Sequence, residues 1–113
     1  MPELGSSIKV GFILCTSRKD GSLYVYLLGV MPEYRRLGYA SQLLQSAKDY
    51  AHRHGFPALS LHANVENLKA LRLYRKFGFR PVIRIPDYYR GSMEYTNKDG
   101  YYMKVNVRPR EVM

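Results

Sequence analysis

Tryptophan is absent, cysteine occurs once, and acidic residues are half as numerous as basic ones, with nine Asp and Glu against 18 Lys and Arg in 113 residues. Each scarcity removes a class of protein. Cys15 alone allows no intrachain disulfide and no pair of thiolates for a metal, so no metal is expected and Cys15 reads as a small apolar strand residue. No apolar stretch approaches the roughly 20 residues of a membrane-spanning helix. The opening "MPELGSSIKV" also lacks the charged and apolar regions of a signal peptide. The expectation is a cytoplasmic protein, away from the membrane, forming one domain over residues 1–113. There is no internal repeat, linker or low-complexity tract.

What is present is enough apolar content, 46%, to build a core. The formal charge of +9 favours an anionic partner, and nucleic acid, a phosphate-bearing cofactor and the ribosome surface all qualify. The basic residues are scattered from Lys9 to Arg110 without a long block, which disfavours a disordered nucleic-acid arm. No recognition motif and no stacking-spaced run of basic and aromatic residues supports nucleic-acid binding either.

Periodicity orders the elements. Ile8, Val10, Phe12 and Leu14 alternate with their neighbours in the period of a strand, and Asp20-Gly21 supplies a hairpin turn. "LYVYLLGV" then reads as a central strand covered on both faces, in which Gly29 marks a bulge or a close backbone approach. From Ala40, Leu43, Leu44, Ala47, Tyr50 and Ala51 recur at helical spacing up to Gly55. "ALSLHA" makes a third strand, and a second helix runs from about Asn67 to a stop at Gly78. "FRPVIRIP" and "YYMKVNV" close the chain as strands, with Asp99-Gly100 as a turn signal before the last. The order is that of a mixed α/β domain.

The stretch "YRRLGYASQLL" leads from a strand into a helix, where free backbone N–H groups and the positive end of the macrodipole converge. An anion fits there. Gly38 and Ala40 lack bulk, so phosphate oxygens can approach the amides, and Arg35 and Arg36 can neutralise charge. Glycine near a helix start also serves simple turn chemistry.

Together with "LHANVENLKALRLYRKFGF" downstream, "LYVYLLGVMPEYRRLGYASQLL" resembles the GNAT acetyltransferase superfamily. In its motif Arg/Gln-x-x-Gly-x-Gly/Ala, Arg35, Gly38 and Ala40 fill the conserved places. The resemblance implies a mostly antiparallel sheet flanked by two helices and acetyl-CoA as acetyl donor. It implies a pyrophosphate held at Arg35, Arg36, Gly38, Tyr39 and Ala40, with Asn67 against the cofactor arm. Backbone groups around Leu28 to Val30 are the candidates beside the thioester, where the family has a strand bulge. Tyr74 matches a tyrosine directed at the CoA sulfur, although packing on Leu71 and Phe77 explains it as well.

The closest likeness is to N-terminal α-amino acetyltransferases of the NatE and NatF type. That implies Tyr24 and His62 as a general-base pair acting through an ordered water, and a peptide contacted by Tyr24, Tyr26, Tyr88 and Tyr89. An α-amine has a pKa near 8 and a free imidazole one near 6.5, so His62 suits the task. As residues of apolar strands, Tyr24 and His62 also fit a core. Alternation sends Tyr24 and Tyr26 to one side, and only one of Tyr88 and Tyr89 toward any site. A lysine or small amine as acceptor, or an inactive CoA-binding module of a complex, are the other readings.

GNAT domains usually begin with a further strand and two helices, and the resemblance implies that this sequence starts after them. Their loss is expected to expose apolar surface on the sheet and first helix, which a second copy, a partner subunit or the ribosome could cover.

Overall fold

A computed structural model of the chain describes residues 11–35 and 38–108, so Ile8 and Val10 of the first expected strand lie outside the described residues, as does Arg36. The elements are β1 (Gly11–Ser17), β2 (Leu23–Val30), a 3₁₀ turn (Pro32–Tyr34), α1 (Tyr39–Arg53), β3 (Ala58–Asn64), α2 (Leu68–Phe77), β4 (Arg80–Ile85) and β5 (Gly100–Asn106). They form one five-stranded sheet in the order β1-β2-β3-β5-β4, antiparallel except between β2 and β3. The fold is mixed α/β, as the sequence implies.

Local chemistry sets the boundaries. Gly21 takes φ +90 in the turn after Asp20, whose carboxylate accepts from the Ser22 amide. Asn67 caps α2 by accepting from the Ala70 amide at 3.3 Å, and Gly78 ends that helix at φ +118. Asp99-Gly100 is not a hairpin turn. Gly100 already belongs to β5, and a Cβ there would meet Tyr89 at 2.9 Å and Tyr88 at 3.2 Å, so its bareness serves packing.

Both helices sit on one face of the sheet. Leu44, Ala47 and Ala51 of α1 and Leu71 of α2 close over Leu23, Val25, Leu59, Leu61, Met103 and Phe79. Lys48 reaches across to the Phe77 ring at 5.7 Å. Each large side chain in this cluster contributes roughly 1.5–3 kcal/mol by leaving water.

The opposite face is polar and aromatic in the middle and apolar at the β1 side. β2 is not covered on both faces among the described residues: Phe12, Leu14 and Leu27 are 48%, 42% and 47% exposed there. Alternation puts Ile13 and Cys15 on the helix side instead.

Two irregularities shape β2. Leu14 pairs with Leu27 but Cys15 pairs with Val25, so Tyr26 is an extra residue, a β-bulge. Gly29 lies in regular register with Phe12, and a Cβ on it would sit 2.7 Å from the Phe12 ring. Of the two meanings of Gly29, close approach is the one the chain uses. The second irregularity is the parallel ladder itself, which comprises only Leu23↔Leu59 and Tyr24↔Ser60. Beyond those pairs the strands part, β2 staying with β1 and β3 with β5.

Candidate active site

Parity on β2 and β3 brings Tyr24 and His62 to the face away from the helices, at the point where the strands part. The Tyr24 hydroxyl lies 2.6 Å from His62 Nδ1. Burial, helped by the nearby Arg18 charge, lowers the His62 pKa from 6.5 to about 4, so the ring is neutral at neutral pH. Burial and the neighbouring Tyr88 raise the Tyr24 phenol well above its ordinary value, while Arg18 pulls it down. A base tuned near 6.5 is therefore not what the fold builds at His62. Its Nε2 is buried and has no partner among the described residues.

The tyrosine-rich segment between β4 and β5 folds over this pair. It is tied down by the Tyr89 amide donating to Lys98 O at 2.8 Å and by Asp99 accepting from the Asp87 amide and from Arg84. Asn64 donates to Asn97 O at 2.9 Å from beneath. Tyr88 stacks on His62, whereas Tyr89 packs edge-on against Tyr88 and Tyr95. Burial pushes the Tyr89 phenol up to about 12. Of the two neighbouring tyrosines, only Tyr88 stacks on the pair. Tyr26, 53% exposed at the bulge, makes neither ring contact nor hydrogen bond with Tyr24 or His62, because the extra residue interrupts the alternation that would have aligned it.

Around the pair stand residues that the motifs did not single out. Tyr102 packs against His62 and donates to Asp20, which also accepts from Ser22 and pairs with Lys104 at 2.9 Å. Ser60 donates to the Ser22 hydroxyl at 2.6 Å, satisfying two fully buried side chains. The guanidinium of Arg18 lies 4.9 Å from the Tyr24 ring centre and 4.6 Å from that of Tyr102. Asp20-Gly21 is legible as a turn. That the turn carries Arg18 over the pair has no signature in spacing.

On the helix side a cavity of about 570 Å³ opens at the mouth of the parted strands. Val30 closes one wall, Arg35, Gly38, Tyr39, Ala40 and Ser41 the start of α1, and Asn67, Ala70 and Leu73 the flank of α2. Gly38 begins α1 at φ +82, with no atom within 4 Å of where a Cβ would stand, and no side chain caps the helix. The first amides of α1 are left for an anion, which fits a pyrophosphate. Arg35 is partly engaged, its Nε donating to Val30 O at 3.1 Å.

Asn67 lines this cavity while also capping α2 and donating to the Tyr95 hydroxyl. Leu28 faces the core from its pairing with Ile13. Tyr74 packs edge-on against Phe79, and burial raises its phenol. Its hydroxyl bonds to no described residue.

A family model described as the Acetyltransferase (GNAT) family matches residues 7–79. Among curated relatives, the probable N-acetyltransferase san of Drosophila melanogaster and N-alpha-acetyltransferase 50 of Danio rerio are each 32% identical over 89 residues, 75% of this chain. The chain spans about half the length of these relatives, 48% and 53%. A solved structure of Arabidopsis thaliana Naa50, in complex with the bisubstrate analogue CoA-Ac-MVNAL, superposes with TM-score 0.69 at 29% identity. That match covers 84% of this chain and 64% of the other.

Proposed function

The chain belongs to the GNAT acetyltransferase family, and from that premise we propose that it transfers an acetyl group from acetyl-CoA to the α-amine of a protein or peptide N-terminus. The observation that carries this reading is the disposition of its two halves. An anion-receptive cavity lies on the helix side and a hydrogen-bonded Tyr24–His62 pair on the other face, joined where β2 leaves β3.

When bound, acetyl-CoA supplies the thioester whose C–S bond breaks as the amine nitrogen bonds to the carbonyl carbon. The amides of α1 and Arg35 hold the diphosphate, and Asn67 and Leu73 line the path of the arm. The backbone of Leu28 to Val30, in ladder with β1 only, borders the gap. Tyr24 receives the amine's proton on its phenol oxygen while passing its own to His62 Nδ1. A strong base is unnecessary for this. Once the N–C bond has formed, the nitrogen holds its proton far less tightly than a free amine, so an imidazole near 4 suffices transiently. The Tyr74 hydroxyl, without a partner among the described residues, stands as the candidate donor to the leaving sulfur. Tyr88 shuts water from His62 and forms the peptide's wall; Tyr89 supports Tyr88.

The test is release of CoA from acetyl-CoA in the presence of a panel of free N-terminal peptides. Release at the level of a His62→Ala control would overturn the assignment, and turnover confined to α-blocked lysine peptides would move the acceptor to lysine.

A further inference from the structure

Arg18 places a cation at the Tyr24–His62 face that no described carboxylate neutralises. Its closest acidic neighbour along the turn, Asp20, is engaged by Lys104 at 2.9 Å and by the Ser22 and Tyr102 hydroxyls. Arg84 is paired with Asp99 at 2.9 Å. Lys98 donates to the carbonyls of Ser92 and Tyr95. Arg18 makes no ion pair among the described residues, yet it is not a loose surface side chain.

Its guanidinium is held against two rings, 4.9 Å from the Tyr24 centre and 4.6 Å from the Tyr102 centre. The hairpin fixes its backbone as well, with its amide donating to Ser22 O at 3.0 Å and its carbonyl accepting from Gly21 at 2.9 Å. Contacts with ring faces leave the N–H edge of a guanidinium open, and that edge is a planar fork matched to a carboxylate. Preorganisation removes much of the entropic cost of capturing one.

We propose that Arg18 is a carboxylate-binding subsite of the acceptor slot, selecting peptides that carry Asp or Glu within their first three residues. This inference rests on the acetyl-transfer reading and adds to it the chemical class of acceptor. An amine at the Tyr24 hydroxyl leaves the next residues of an extended peptide, at about 3.3–3.6 Å per residue, within reach of a group packed on the same ring. A charge-assisted hydrogen bond there raises kcat/KM for an acidic peptide over its amide isostere by about tenfold or more.

The experiment compares peptides identical except for Asp or Asn at positions two and three, using the whole chain and its Arg18→Gln and Arg18→Glu variants. The expected result is about a tenfold preference for the Asp peptide, lost in Arg18→Gln and turned toward a Lys-containing peptide in Arg18→Glu. Equal rates for Asp and Asn peptides, or a preference that survives Arg18→Gln while kcat falls for every peptide, overturn the subsite and leave Arg18 as a modulator of the pair. If no peptide is turned over, the acetyl-transfer reading has failed, and fluorescence anisotropy of the labelled Asp and Asn peptides decides the subsite separately. Tighter binding of the Asp peptide that disappears in Arg18→Gln supports it; equal binding refutes it.

Discussion

Tyr88 lies flat on His62, ring centres 4.2 Å apart and planes inclined by 9°. This contact gives one wall of the desolvation that keeps the imidazole neutral. In Tyr88→Ala, water reaches the ring, and its pKa climbs from about 4 toward 6.5, as followed by the imidazole proton resonances across a pH titration. An unmoved titration would assign the desolvation to the other walls of the ring, Tyr24 and Tyr102, and not to Tyr88.

The same shift has a consequence for stability. In the unfolded chain the His62 imidazole takes a proton near 6.5, in the folded chain only near 4, so between those values the unfolded state binds more protons. Stability from this group is complete above about pH 6.5 and is lost as pH falls toward 4. Urea midpoints at pH 7 and pH 4.5 should differ more for the wild type than for His62→Gln.

Tyr24→Phe keeps the ring and its contact with Arg18 but deletes the hydroxyl that faces His62. The expected loss in kcat is about 10²-fold or more, with the KM for acetyl-CoA little changed. Steady-state kinetics resolve the two; equal turnover would remove Tyr24 from the proton path.

At the cavity, Arg35→Glu reverses a charge beside the α1 amides and breaks its bond to Val30 O. CoA affinity measured by calorimetry should fall at least about tenfold. Arg35→Gln should fall less. Unchanged binding in both would mean the diphosphate lies elsewhere.

Two glycines on facing strands should respond unequally to one methyl group. At Gly11 a Cβ would sit 2.4 Å from the Gly29 carbonyl oxygen, which is backbone and cannot turn away, so Gly11→Ala should cost about 2–3 kcal/mol. At Gly29 it would meet the Phe12 ring, half exposed and free to rotate outward, at about 1 kcal/mol or less. Thermal melts of the two variants give the comparison.

The elements were legible because each leaves a local mark. Gly78 stops α2 where the apolar stripe ends, and Asn67 opens it. The bulge at Tyr26 left none, since "LYVYLLGV" is apolar throughout and a flip of faces changes no pattern. Asp99-Gly100 carries the chemistry of a tight turn but is used for a carboxylate anchor and a ring-packing gap, a choice set by the distant Tyr88 and Tyr89. Within the site, the family motif marked Arg35, Gly38, Ala40 and Asn67, and alternation stated that one of two tyrosines would face inward without saying which. Arg18 and Asp20 owe their roles to a hairpin that folds back over β2, so no spacing along the chain announces them.

A parallel ladder only two pairs long leaves β2 and β3 apart beyond Tyr24, and on the acetyl-transfer reading that gap is where donor and acceptor meet from opposite faces. A donor arriving between the helices and an acceptor arriving from the tyrosine side would not queue for one entrance. Each could load or leave while the other stays, and initial-rate plots should then intersect, with neither substrate required to bind first.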